Sequence, residues 1–124
     1  MKKIAIVLFL LSSPAWAGWK SVGEDDTATT YADTASIVKK ANTATMWTLI
    51  DYKAFQRMVE TGYFSHKTEV EYDCAEPRMR GLSLFLRAEK MGEGKVVYDD
   101  TSPHEWEPVN PDTMNETLRK VACR

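Results

Sequence analysis

Cysteine and histidine are scarce in this 124-residue chain, with two copies of each. Cys74 and Cys123 are too far apart for a C-x-x-C redox motif, and neither stands beside a histidine, so thiol redox and zinc chemistry lack their usual signatures. No apolar run approaches the roughly 20 residues that a spanning helix needs. The longest, Ile4 to Leu11, is under half that length. Positive charge is not in excess either, because 16 Lys and Arg face 18 Asp and Glu for a net charge of −2. Nucleic acid is therefore not an expected partner, since backbone binding needs a clustered cationic surplus. Glycine and proline are few, and no repeat or low-complexity segment is present. What is there suits one folded domain: 44% hydrophobic and 10% aromatic residues in a chain too short for a second core.

The first 17 residues read as an address. Lys2 and Lys3 precede the apolar run, Ser12-Ser13-Pro14 breaks it, and Ala15-Trp16-Ala17 places small residues where a signal peptidase reads them. Cleavage after Ala17 leaves residues 18–124 as the mature domain and takes the net charge from −2 to −4 as both lysines leave. No cysteine follows the apolar run, so a lipid anchor is not expected, and the default address is the periplasm or the medium. In an oxidising compartment two lone cysteines pair most economically. A Cys74–Cys123 bond closes a loop of about 50 residues, which chain entropy values at roughly 4 kcal/mol.

The mature segment is rich in strand signals. Short β-prone runs occur at Trp19–Val22 and Thr29–Ala32, the second closed by a turn at Asp33–Ser36, and another strand begins at Ser36–Lys39. After a tight connection at Ala41–Thr43, Thr45–Phe55 is apolar on both faces, with Trp47 and Leu49 on one and Met46, Ile50 and Tyr52 on the other. This pattern predicts a central strand. Thr68–Cys74 alternates cleanly, as does Gly81–Glu89. Met91–Gly94 reads as a hairpin connection to a strand at Lys95–Asp99, followed by a loop to Pro108. Asn110 as N-cap and Pro111 as the first helical residue then predict a helix with Met114, Leu118, Val121 and Ala122 on one face. Cys123 falls on the opposite side of a regular helix, so its final turn is expected to unwind toward Cys74. The tally is an α+β fold: one twisted antiparallel sheet of about six strands, a C-terminal helix on one face, and one disulfide.

Catalytic patterns are weak. His66 and His104 have no second ligand at helical or turn spacing. Glu69, Glu71 and Asp73 form an acidic row that reads as the solvated face of an edge strand rather than as an acid–base pair, because no nucleophile accompanies it. Ser65 and His66 point to opposite faces, and Gly92–Lys95 departs from a phosphate loop at Glu89 and Val96. No catalytic, cofactor or metal site is expected. Charge is segregated, however, with five cationic side chains in 78–95 and six acidic ones in 99–116, which reads as cross-strand pairing or as opposed surface patches. One helix cannot cover both faces of such a sheet. Phe85 with Trp47 or Leu49 is expected to leave an apolar area on the other face, fit for a protein partner or a homodimer.

An ordered set of residues resembles the surface-adhesin protein E family of Gram-negative bacteria. It comprises Trp19, Tyr31-Ala32-Asp33 with Ser36-Ile37, and Met46-Trp47-Thr48-Leu49-Ile50-Asp51-Tyr52. Ser65 with Lys67, Glu71-Tyr72-Asp73-Cys74, Gly92, Trp106, Pro111 and Cys123 complete it. The resemblance implies a strand-to-helix disulfide, a dimer, and binding to host matrix or plasma proteins without catalysis or cofactor. The alternative is a periplasmic accessory or envelope-stress protein that binds another bacterial protein.

Overall fold

The computed structural model describes residues 18–124; the expected leader, with Ala15 and Ala17 at its cleavage site, lies outside them. Strands β1 (Trp19–Glu24), β2 (Ala28–Lys40), β3 (Thr43–Arg57), β4 (Gly62–Asp73), β5 (Arg78–Arg87) and β6 (Val96–Asp100) form an antiparallel meander in sequence order. A two-residue β7 (Glu107–Pro108) joins β5 beside Arg78 and Met79, and helix α1 (Met114–Ala122) follows. β3 and β4 are central, which is why β3 carries apolar side chains on both faces: Met46 and Leu49, on opposite sides, are both fully buried.

Several local expectations are corrected by the way polar side chains replace backbone partners. β2 is one strand where a turn was expected at Asp33–Ser36. Thr34–Ile37 stand opposite Met46 alone, in a wide bulge. Ser36 fills the gap: its hydroxyl accepts from the Trp47 N–H at 2.9 Å and donates to the Asp33 carbonyl at 2.6 Å. β4 begins at Gly62, six residues before the alternation that announced it, because Tyr63 and Phe64 pack edge-on against Tyr52 and Phe55 of β3. These aromatic pairs hold a two-stranded arm that outruns β2 and β5. The expected hairpin at Met91–Gly94 contains a 3-10 turn at Lys90–Gly92. Gly92 has φ +71°, and a Cβ there would sit 3.4 Å from Leu49 Cδ1. Its N–H donates to Ser65 Oγ, which in turn donates to the Glu89 carbonyl, so the turn lies over Leu49 and Ser65.

The helix starts three residues later than Asn110 suggested. Thr113 is the N-cap, its hydroxyl accepting from the Glu116 N–H, while Glu116 Oε1 accepts from the Asp112 N–H. The final turn does not unwind: the Cys123 N–H still donates to the Arg119 carbonyl, and the bond to Cys74 forms from the C-cap with Cα atoms 5.6 Å apart. Arg119 explains how. Its Nε donates to the Asp73 carbonyl at 2.7 Å, drawing the Arg119–Cys123 side of the helix onto the end of β4. Leu118 and Ala122 then close a core with Ala32, Ala44, Met46, Val70 and Tyr72.

Asp73 organises that corner. Its carboxylate accepts from the Ala75 and Glu76 N–H groups and from Arg78 Nε, which holds its pKa at about 2 against an ordinary 3.8. A carboxylate with a depressed folded-state pKa stabilises the fold above its unfolded pKa, and that contribution is lost as pH falls from about 4 toward 2. Asp73→Asn should therefore lower the melting temperature at pH 7 and flatten the loss of stability on acidification, as followed by circular dichroism. Cys74→Ser should cost about 2–5 kcal/mol in denaturant titration. A melting temperature unchanged by reductant would contradict the weight given to the bond.

Candidate functional site

The helix covers one face of the sheet at the Ala44–Tyr72 end, and the 3-10 turn covers the other face at its opposite end. What remains of the second face is a tray of half-buried aromatic side chains. Cross-strand register brings Tyr31, Leu49, Lys67 and Phe85 into one row and Asp33, Trp47 and Glu69 into the next. Trp47 and Phe85 stack with ring centres 6.2 Å apart and planes 27° from parallel. The expected pairing of Phe85 with Trp47 is therefore present, whereas Leu49 is fully buried and takes no part in the surface.

Lys67 lies between the rings. Its Nζ is 5.4 Å from the Trp47 ring centre and 6.0 Å from that of Trp19. At such distances the ammonium is attracted by both π faces and its stem covers apolar surface. Gly18, Trp19, Asp33, Trp47 and Lys67 line a recess of about 150 Å³. A rigid aromatic floor with one cation and one carboxylate at its edge has the composition of protein-binding hot spots, where ring area anchors and charge orients.

Each sequence candidate for chemistry finds a place. Glu71 and Asp73 are not a solvated edge, since β4 is central: Glu71 pairs with Arg80 at 2.7 Å and Asp73 with Arg78 at 2.8 Å. Both arginines lie 4.6 Å from the Trp106 ring centre, so the pairs brace the Trp106 loop. Glu69 stays on the tray. Ser65 is fully buried and engaged by the 3-10 turn, while His66 points to the helix side, where burial lowers its pKa. His104 Nε2 lies 2.8 Å from Asp100 Oδ2, but Ser102 gives its backbone N–H to Asp100 rather than its hydroxyl to His104. No three metal-ligating side chains gather among the described residues.

The charge segregation resolves in an unexpected way. Four of the five basic residues of 78–95 turn back on the chain: Arg78, Arg80 and Lys90 to Asp73, Glu71 and Asp51, and Arg87 to the Gly94 carbonyl. The described ion pairs join none of them to the acidic residues of 99–116, so the acidic segment keeps its own field.

A family model described as "Surface-adhesin protein E" matches residues 19–124. Protein E of Haemophilus influenzae, in its selenomethionine form, is 14% identical with a TM-score of 0.68, over 90% of this chain and 89% of that one. A second structure of that protein has the same identity and a TM-score of 0.65, over 90% and 87%. The structure from non-typeable Haemophilus influenzae gives 14% and 0.62, over 86% and 76%. No curated protein sequence matches the chain.

Tray and core should separate in mutants. Met46→Ala empties a fully buried site and should cost about 2–5 kcal/mol. Phe85→Ala, at a half-buried ring, should cost roughly 1–2 kcal/mol in the same denaturant titration. Equal losses would place Phe85 in the core rather than on a surface.

Proposed function

The chain belongs to the surface-adhesin protein E family, and from that membership we propose that it is an exported, non-enzymatic binding module that takes a protein partner on the Trp19–Trp47–Phe85 tray. The observation that carries this reading is the tray itself: three large aromatic rings left half-buried around Lys67, on the part of that face that the 3-10 turn does not reach. Aromatic side chains held this rigidly supply contact area at little entropic cost, and they do no evident work for the core on that side. Host matrix and plasma proteins are the partners proposed first, and a second copy of the chain on the same tray is the proposed route to a homodimer. The leader of residues 1–17, with release after Ala17, delivers the domain through the inner membrane.

A second reading is favoured by the Ala15-Trp16-Ala17 pattern, which suits release of a soluble chain. In it the same tray takes another bacterial envelope protein, and the domain works in the periplasm. Protease added to intact cells separates the two, because a surface protein is digested while a periplasmic one survives until the outer membrane is opened.

The mature domain, captured from solution on surfaces coated with individual matrix and plasma proteins, should bind at least one of them. Phe85→Ala and Lys67→Glu should each weaken that binding by about tenfold or more, the size of a hot-spot loss, with unchanged circular dichroism. Binding to none of the coated proteins, or binding that both variants retain, would refute the adhesin reading.

A further inference from the structure

The helix side of the sheet is covered at one end only, and beyond the helix lies a cleft of about 400 Å³. Its floor is the face of β3 and β4 that carries Ile50, His66 and Thr68. Leu84 of β5 forms one wall, Leu118 of the helix another, and the end of β6 and the loop after it bring Asp100 and His104 to the rim. The volume falls in the range of small-molecule sites, and the walls are mostly apolar with a few polar groups among them. Three observations suggest an occupant. Tyr72, fully buried, lines the cleft, and among the described residues its hydroxyl has no hydrogen-bond partner. A buried hydroxyl in that condition is costly unless something meets it. Gly81 also lines the cleft, and a Cβ there would meet nothing within 4 Å, so the space in front of it is empty. Among the described residues, Asp100 and Glu107 bring negative charge to the lining of the cleft, and no lysine or arginine lines it.

We infer that this cleft binds a small amphiphile with an apolar body, a hydrogen-bond acceptor toward Tyr72, and a neutral or cationic head at the Asp100–Glu107 rim. The apolar body lies between Ile50, Leu84 and Leu118. Hydrogen bonds from the Ser102 N–H and the His104 ring lower the Asp100 pKa, so the rim stays negative through neutral pH and opposes an anionic head. His66 is kept neutral by burial and adds no competing positive charge to the floor. This site is separate from the aromatic tray, which lies on the other face of the sheet.

The test uses the mature domain with the neutral fluorophore N-phenyl-1-naphthylamine, displaced by decylamine, decanol or decanoate below their micellar concentrations. The fluorophore should brighten on binding, and decylamine and decanol should displace it at concentrations at least about tenfold lower than decanoate, one head-group charge being worth a tenfold factor or more at a desolvated rim. Gly81→Leu, whose Cβ would meet nothing within 4 Å and whose side chain would occupy the cleft, should abolish the brightening, whereas Phe85→Ala on the opposite face should leave it intact. No brightening, brightening retained by a folded Gly81→Leu, or equal displacement by decanoate would overturn the inference. If Gly81→Leu does not fold, amide chemical-shift mapping of the unaltered domain with decylamine decides. Shifts centred on His66, Thr68 and Leu118 support the site, and shifts centred on Trp19, Trp47 and Phe85 refute it.

Discussion

A six-stranded meander presents two faces to water, and the described residues offer nine helical positions and one 3-10 turn with which to cover them. Everything distinctive about the molecule follows from that shortage. The helix is placed at one end of one face and the turn at the other end of the other face, so each face is half core and half surface. The covered halves hold the largest fully buried side chains: Met46 and Tyr72 under the helix, Leu49 and Ser65 under the turn. The uncovered halves become the aromatic tray and the cleft. A longer helix would have erased the cleft, and a second helix would have erased the tray.

Placing so short a helix takes more than its apolar stripe, because nine residues are marginal as an isolated helix. The anchoring falls on one corner at the end of β4. Asp73 holds the following turn through its carboxylate and Arg119 through its carbonyl, the Cys74 N–H donates to the Asn42 carbonyl, and Cys74 is bonded to Cys123. These constraints act at the helix C-terminus, while the Thr113 cap and Met114 secure its start. The disulfide therefore does more than shorten the unfolded chain. It pins the C-terminal end of the helix to the end of β4, while the other end, at Met114, Asn115 and Leu118, borders the cleft.

Sequence patterning exposed some of this and hid the rest, for reasons that differ residue by residue. The two-faced apolar pattern of Thr45–Phe55 announced a central strand because both of its sides are buried at different points along its length. Asp33–Ser36 looked like a turn because its side chains are those that bond their own backbone. Ser36 does bond Asp33, but it also replaces a missing ladder partner for Trp47, which only the neighbouring strand makes visible. Asn110 and Pro111 carry good capping chemistry, yet Thr113 with Glu116 supplies a reciprocal cap and wins. The Trp47–Phe85 pair was legible, since register on a two-residue period puts both on one face. The cleft was not: Ile50, His66, Gly81, His104 and Leu118 come from five segments, and none of them forms a motif with its sequence neighbours.

The two uncovered surfaces also differ in charge for a structural reason. Arg78 and Arg80 of β5 and Lys90 of the 3-10 turn are paired with carboxylates on β3 and β4, where Asp51, Glu71 and Asp73 stand directly across the ladder or beneath the turn. That leaves Lys67 as the cation held between the rings of the tray, and it leaves the acidic stretch after β6 without lysine or arginine along its own length. The tray is thus aromatic with a positive centre, and the cleft apolar with a negative rim. Surfaces of such opposite character on opposite faces of one sheet are poorly suited to a single shared ligand. A protein large enough to lie on the tray cannot enter a cleft of about 400 Å³, and an amphiphile small enough to enter it would find no enclosure on the tray. The two proposed occupants would therefore not compete for the same contacts.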